Sequence, residues 1–222
     1  MPVDDKPVRM APSILAADFA HLADHIGSVG PEADLLHVDC MDGHYVPNLS
    51  IGPPVVAALR TATDLYLDCH LMIDNPGDLL DAFVAAGADG ITVHVEVGDT
   101  DALLGRIRDA GCKVGLTLEP ATPYEAVAPY LDRLDTLLVM SVRTGFGGQS
   151  FIPDVLDKVR IARREIAERG LATEIEIDGG INIETAPLAA AAGVDILVAG
   201  TAVFGQSDPQ AAAAAIRSAA SA

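Results

Sequence analysis

Short apolar runs alternate with longer amphipathic segments along nearly the whole chain. The runs, rich in Val, Ile and Leu, cover residues 8–14, 35–39, 65–70, 90–93, 113–118, 136–140, 174–177 and 194–198. Helical spacing of apolar residues places Leu22, Ile26 and Val29 on one face, and further helices are predicted at 55–60, 76–86, 101–110, 123–130, 153–169, 184–192 and from 209 onward. Strands buried on both faces and joined by helices are typical of a parallel sheet.

Eight such units in 222 residues predict a compact α/β fold, the (β/α)8 TIM barrel. Since the composition does not shift along the chain and a linker is missing, we expect a single catalytic domain over residues 1–222. A doubly wound open sheet is the alternative. Such a sheet more often carries a G-x-G-x-x-G motif after its first strand, and this chain has none there.

Polar side chains interrupt the apolar pattern mainly where a predicted strand ends. They are Ser13, His37, Asp39, His70, His94, Glu119, Ser141, Asp178 and the pair Gly200-Thr201. In a barrel the carboxyl ends of all strands meet on one face, where the connecting loops build the active site. Polar residues that serve only the core would be scattered over both ends, so the pattern indicates a functional site.

Four of these side chains are good metal ligands. His37 and Asp39 lie two residues apart, so a strand directs both to one face, while His70 and Asp178 end the third and seventh strands. Two imidazoles and two carboxylates suit Zn²⁺ or Fe²⁺ and admit Mn²⁺ or Co²⁺. Taken alone, His37 and Asp39 could equally be a structural pair that bond only to each other at the end of the strand.

Two further groups lie beside these candidates. His94 and Glu96 share the two-residue spacing. We interpret them either as residues that hydrogen-bond to the ligands and orient them or as a structural pair. Asp68 precedes His70 by two residues and should lie one layer deeper, as a buried, hydrogen-bonded carboxylate.

Three loops carry glycines, and methionines lie beside the candidate site. Gly145-Phe146-Gly147-Gly148-Gln149, Gly179-Gly180 and Gly200-Thr201 follow the sixth, seventh and eighth strands. Glycine lets backbone N–H groups approach an anion, and barrels often bind phosphate after strands seven and eight, although Gly-Gly also serves tight turns. Met41, Met72 and Met140 either fill gaps in the core or cap the site and exclude water.

The charge of the chain limits its partners. Asp and Glu number 32 against 14 Lys and Arg, a net charge of −18 that argues against nucleic acid and anionic membranes. The cysteines, Cys40, Cys69 and Cys112, form no C-x-x-C pair, which favours a reduced, cytoplasmic setting. The sequence shows neither the apolar region of a signal peptide near its start nor an uncharged apolar stretch long enough to span a membrane.

These motifs together resemble the ribulose-phosphate 3-epimerase family. The resemblance runs from APSILAADFA (11–20) to VAGTAVF (198–204), through HVDCMDGHYVPNLSIGP, CHLMIDNP, HVE, GLTLEPATP, MSVRTGFGGQSF and EIDGGI. It implies an isomerase with a (β/α)8 barrel that interconverts ribulose 5-phosphate and xylulose 5-phosphate by inverting C3, in the pentose phosphate pathway.

The resemblance also implies roles for single residues. His37, Asp39, His70 and Asp178 would hold one divalent metal ion per subunit, and Asp39 and Asp178 would be the catalytic acid/base groups. The substrate and its phosphate would be bound by Ser13, His70, Gly145, Phe146, Gly147, Gly148, Asp178, Gly179, Gly180, Gly200 and Thr201. Met41, Met72 and Met140 would form a cap, and the chain would form a homo-oligomer.

The sequence departs from the family at Arg143-Thr144, where a non-basic residue and a proline are usual. Losing the proline should loosen the loop, and Arg143 either helps to bind the phosphate or lies in solvent. Three other functions stay open. They are a 3-epimerase of a six-carbon ketose phosphate such as allulose 6-phosphate, a metal-dependent hydrolase and an inactive phosphate-binding barrel.

Overall fold

The computed structural model describes residues 7–221, and its centre is an eight-stranded parallel barrel. The strands are β1 (Arg9–Pro12), β2 (Leu35–Met41), β3 (Tyr66–Met72), β4 (Gly90–His94), β5 (Lys113–Leu118), β6 (Thr136–Met140), β7 (Glu174–Asp178) and β8 (Ile196–Ala199). Strands β2 to β8 pair in chain order, β8 pairs with β1, and a bridge between Ser13 and His37 links β1 to β2. The barrel is therefore nearly closed, and the predicted TIM-barrel fold is confirmed.

Helices surround the sheet. They are α1 (Leu22–Gly27), α2 (Pro53–Ala62), α3 (Leu80–Ala85), α4 (Thr100–Asp109), α5 (Leu156–Arg169), α6 (Ala186–Ala192), α7 (Thr201–Phe204) and α8 (Pro209–Ala220). The helix predicted at 123–130 is not one continuous α-helix, because two 3-10 segments, Tyr124–Ala126 and Ala128–Arg133, occupy this connection. Pro129 lacks the N–H that an α-helix needs there, and its ring would clash with the carbonyl four residues before it.

The core lies mainly between the strands and the helices. On β2, Leu36, Val38 and Cys40 belong to the large buried cluster that joins sheet and helices. His37 and Asp39 alternate with them and therefore point into the barrel. The carboxyl-terminal end of β2 thus supplies apolar packing outside the barrel and polar side chains inside it.

Four aspartates brace the amino-terminal end of the barrel, and each precedes an even-numbered strand. Asp34, Asp89, Asp135 and Asp195 accept hydrogen bonds of 2.7–2.9 Å from the backbone N–H groups of Met10, Leu67, Val114 and Ile175 on the odd-numbered strands. Each also pairs with a basic side chain, in order Arg217, Arg60, Lys113 and Arg163. We call these contacts the aspartate clamps; they repeat with every second β/α unit.

Between residues 7 and 221, the helices are all too short or too polar to cross a bilayer. The expected absence of a signal peptide concerns the first ten residues, of which residues 1–6 lie outside the described part of the chain.

Candidate active site

The four predicted metal ligands meet inside the carboxyl-terminal end of the barrel. His37 and Asp39 come from β2, His70 from β3 and Asp178 from β7, and one ligand atom from each lies within 4.8 Å of the others. His37, Asp39 and His70 are buried, and Asp178 is partly buried. Because β1 and β8 separate β7 from β2 in the barrel, the two aspartates approach the cluster from different sides.

The histidine nitrogens are oriented as metal ligands require. Nε2 of His37 lies 3.4 Å from Oδ1 of Asp39 and has no hydrogen-bond partner within residues 7–221; Nδ1 of His70 lies 3.1 Å from the same oxygen. The opposite ring nitrogens contact Asp68 at 2.9 Å and His94 at 2.8 Å. A metal-binding histidine usually donates its second ring N–H to such a partner, which leaves the first nitrogen free. The residues therefore fit a cation.

A second acidic layer lies beneath His37. Asp68 and Glu176 are both buried there, and Nδ1 of His37 is 3.3 Å from Oε1 of Glu176. Burial and the Asp68 carboxylate raise the pKa of Glu176 to about 8. Asp68 occupies the deeper layer as predicted. The sequence analysis missed Glu176, although it precedes Asp178 by the same two residues that separate Asp68 from His70.

The two aspartates of the cluster differ in their affinity for a proton. Burial disfavours charge on Asp39, but His37 and His70 outweigh burial and hold the pKa of Asp39 far below its ordinary value. Burial and the Asp39 carboxylate raise the pKa of Asp178 to about 6. Burial also opposes charge on His37, yet the surrounding carboxylates, Asp39 first, raise its pKa well above the ordinary value. One charged and one readily protonated carboxyl suit acid/base chemistry.

Behind His70, His94 and Glu96 continue a chain of hydrogen bonds. Nδ1 of His94 lies 3.2 Å from Glu96 and 2.8 Å from the hydroxyl of Tyr45, and Glu96 accepts the backbone N–H of Glu119 at 2.8 Å. Burial lowers the pKa of His94 to about 4. Burial opposes charge on Glu96, but the groups bonded to it keep its pKa at about 2. Both residues lie behind a ligand rather than at the cavity.

A cavity of about 780 Å³ opens above the four predicted ligands. Of the predicted site residues, its walls contain Ser13, Asp39, Met41, Met72, Met140, Gly145, Phe146, Gly147, Gly148, Asp178, Gly179, Gly180, Gly200 and Thr201. His37 and His70 are not wall residues, because they lie buried beneath it. The sequence analysis overlooked Leu15, Val142, Phe151, Ile181, Asn182 and Thr185, which also line the cavity. No motif marks these residues in the sequence, and they line the cavity only because the loops fold over it.

The glycines after β7 fit both roles considered for them, a tight turn and a backbone exposed to a bound phosphate. Gly179 and Gly180 have φ values of 122° and 67°. A Cβ on Gly179 would lie 2.6 Å from Val142, and one on Gly180 would lie 2.6 Å from the backbone of Phe151. Glycine is therefore required for packing against the loop after β6, and it also exposes backbone to the cavity. The side chain of Arg143 is exposed and outside the cavity wall, which favours the solvent interpretation.

Comparisons with known proteins agree with this geometry. The model of the Ribulose-phosphate 3 epimerase family matches residues 9–204. Ribulose-phosphate 3-epimerases of Mycobacterium tuberculosis (strain ATCC 25618 / H37Rv) and Bacillus subtilis (strain 168) are 54% and 47% identical, over 94% and 95% of this chain and 91% and 98% of theirs. The solved structure of 3-keto-L-gulonate-6-phosphate decarboxylase from Vibrio cholerae shares the fold, with a TM-score of 0.72 and 19% identity over 97% of this chain and 98% of that one. This chain belongs to the ribulose-phosphate 3-epimerase family, a family of isomerases.

Proposed function

We propose that this protein interconverts D-ribulose 5-phosphate and D-xylulose 5-phosphate by inverting C3, with Asp39 and Asp178 as the acid/base groups. The main support is that these carboxylates converge on one cluster from separate strands and differ in protonation tendency. The names of the relatives support the substrate class. An enzyme with this activity would serve the pentose phosphate pathway.

His37, Asp39, His70 and Asp178 would hold one divalent ion per subunit. Two imidazoles and two carboxylates favour Zn²⁺ or Fe²⁺, with Mn²⁺ or Co²⁺ also possible. A divalent ion bound there would supply Lewis-acid stabilisation of the negative charge that develops on the substrate.

The aspartates would carry the proton transfer. The C3 proton is weakly acidic because it lies beside the C2 ketone, so its removal needs a base on one face of C3 and its return an acid on the other. In one direction Asp39 takes the proton and Asp178 delivers one; in the reverse direction the roles exchange. The hydroxyl of Ser13 donates a 2.5 Å hydrogen bond to Oδ2 of Asp39, which fixes the orientation of that carboxylate.

The cavity walls would bind the rest of the substrate. Backbone N–H groups of the three glycine-bearing loops, Gly145–Gly148, Gly179-Gly180 and Gly200-Thr201, would receive the phosphate. Met41, Met72 and Met140 would cover the reacting carbons and keep water away from them. Removal of the C3 proton leaves a negatively charged enediolate. Exclusion of water strengthens the electrostatic interactions that stabilise this charge.

One experiment tests the reaction class. We expect incubation with ribulose 5-phosphate in D₂O to yield xylulose 5-phosphate with deuterium at C3, and chelation to abolish this exchange. A metal-dependent hydrolase would instead release phosphate without exchange at C3, and an inactive barrel would do neither. Comparing kcat/KM for ribulose 5-phosphate and allulose 6-phosphate decides between a five- and a six-carbon substrate.

Two variants test the proposed residues. Asp39→Asn and Asp178→Asn should each lower the epimerisation kcat at least about hundredfold, since a positioned acid or base contributes 10²–10⁴-fold. A variant that still binds metal should exchange the C3 proton of only one epimer, the one whose proton faces the remaining aspartate. Exchange from both epimers, or a kcat above about a hundredth of wild type, would contradict the assignment.

We also propose a cytoplasmic location and a homo-oligomer, without nucleic acid or membrane partners. Cys40, Cys69 and Cys112 carry free thiols, which suits a reducing environment. Light scattering of the purified protein would measure its oligomeric state.

A further inference from the structure

The loop after β6 has a contact that the proposed mechanism does not use. We call residues 143–149 the glycine loop. Thr144, which precedes its first glycine, is only 8% exposed, and its hydroxyl donates a hydrogen bond to the carboxylate of Glu119 just beyond β5. The backbone N–H of Thr144 is directed to the same carboxylate, 3.4 Å from Oε2. Glu119 therefore holds the residue at which the glycine loop leaves the barrel.

The remainder of the glycine loop is weakly held. Gly145 and Gly148 have φ values of 123° and 74°, a region that glycine adopts at little cost and other residues avoid. Gln149 donates to two carbonyls within the loop, and these bonds shape it without fixing it to the barrel. Asn48, from the loop after β2, donates to the carbonyl of Gly145 at 2.8 Å. Within the described chain, Glu119 and Asn48 are thus the side chains that bind the loop from outside.

Glu119 is well placed to act as a fixed point. Its backbone N–H donates to Glu96 at 2.8 Å, and its carbonyl accepts from Nζ of Lys158 on α5 at 3.0 Å. The same ammonium group binds the carbonyls of Pro120 and Thr122. Through Glu96 and His94, these bonds continue to the ligand His70. The backbone of Glu119 is therefore tied to the barrel on both sides.

The charge of Glu119 excludes a direct contact with the substrate phosphate. A carboxylate repels a phosphate dianion and cannot donate a hydrogen bond to it. Glu119 is also absent from the cavity walls formed by residues 7–221, whereas its partner Thr144 is part of them. Any effect of Glu119 on the substrate must then act through Thr144.

We infer that Glu119 is a positioning residue that, through Thr144, keeps the glycine loop in the shape that receives the substrate phosphate. The inference rests on the proposed function, which assigns this loop to the phosphate. Ordering a glycine-rich segment costs conformational entropy, and a loop ordered before binding avoids that cost when the substrate arrives. The loosening expected from Thr144 in place of proline is offset by the hydrogen bond from the Thr144 hydroxyl to Glu119, which proline could not make because it has no donor.

Kinetics of two single variants test this role. Thr144→Val removes the hydroxyl at nearly constant shape, and Glu119→Ala removes the acceptor. Each should raise KM for ribulose 5-phosphate about tenfold and leave kcat within about twofold, as loss of a hydrogen bond to a charged group predicts. Thr144→Ser should retain the wild-type KM. The double variant should be no worse than the more impaired single variant, because both remove one interaction.

Two readouts separate loop order from general damage. Amide hydrogen exchange at residues 145–148 should be faster in Thr144→Val than in wild type without ligand. The kcat/KM of Glu119→Ala for unphosphorylated ribulose should not change, because Glu119 lies outside the cavity wall and that substrate lacks the group the loop binds. Thr173→Val is the matched control, since Thr173 is buried at the other end of the barrel and donates to the carbonyls of Leu131 and Leu134. It should lower stability and leave KM unchanged.

The outcomes are decisive in both directions. An unchanged KM with unchanged exchange at 145–148 would overturn the inference, as would an equal loss with ribulose or a similar defect in Thr144→Ser. If wild type fails to epimerise ribulose 5-phosphate, the proposed function is wrong. The exchange rates at 145–148 then still decide whether Glu119 orders the loop.

Discussion

Replacing Asp195 by alanine should destabilise the barrel without changing its chemistry. Asp195 holds Ile175 on β7 by two bonds: its Oδ2 accepts the N–H at 2.7 Å, and its own N–H donates to the carbonyl at 2.8 Å. The carboxylate also pairs with Arg163 of α5, whose Nε donates to the carbonyl of Gly193 at 2.9 Å. This aspartate clamp therefore joins β7, β8 and α5.

The magnitude follows from the contacts that alanine removes. The N–H of Ile175 loses a charged acceptor, which costs about 1.5–3 kcal/mol. The side chains of Arg163 and Asp195 are 26% and 29% exposed, so solvent limits their ion pair to about 1 kcal/mol at most. We expect the free energy of unfolding to fall by about 1.5–4 kcal/mol, which for a chain of this size lowers Tm by roughly 3–16 °C.

Thermal and urea unfolding at one protein concentration would measure this loss. Asp157→Ala is the matched control, because the Asp157 side chain is 81% exposed and pairs with Arg160 one turn away; it should cost at most about 1 kcal/mol. At 25 °C the kcat/KM of Asp195→Ala should equal that of wild type. Equal Tm values for the two variants would refute the clamp, and a lower kcat/KM in folded protein would refute its independence from the active site.

Three further results are expected at the active site. Gly179→Ala should lower kcat/KM at least about tenfold in the epimerase assay, since its Cβ would overlap Val142; near-normal activity would contradict this. Affinity for Zn²⁺ should fall at least about tenfold per pH unit below pH 6, because protons compete for Asp178, whose pKa is about 6. A flat titration profile would exclude such competition. Arg143→Ala should leave KM unchanged at low salt. A higher KM would indicate instead that Arg143 helps to bind the phosphate.

The strand ends were predictable because local sequence carries their signal. His37 and Asp39 alternate with buried aliphatic residues at the period of a strand, and Asp178 ends an equally clear run. At 123–130, the helical spacing of apolar residues predicted one helix, but Pro129 prevents a continuous α-helix there. The period of two also places Glu176 on the same face as Asp178, but Glu174 shares that period, and the sequence alone does not show which of the two glutamates is buried beside His37.

Contacts between distant segments could not be derived in the same way. Asp195 binds a backbone N–H 20 residues away, and the partners Glu119 and Thr144 lie 25 residues apart. A signal for the clamps does exist, since an apolar residue and an aspartate precede each even-numbered strand. That signal becomes meaningful only once the strands are paired, because an isolated aspartate near a strand equally predicts a turn.

The distribution of basic side chains explains why loop order matters in this protein. The cations of the aspartate clamps are engaged at the amino-terminal end of the barrel, and the cavity wall within residues 7–221 contains neither Lys nor Arg. A phosphate held in this cavity must rely on backbone N–H groups, hydroxyls and side-chain amides such as that of Asn182, against a net charge of −18. A lysine can follow a displaced phosphate on its flexible stem, whereas a backbone N–H contributes only while its loop keeps one shape. Restraint of the glycine loop by Glu119 is therefore expected to affect substrate affinity more in this barrel than in one that binds phosphate with a cation.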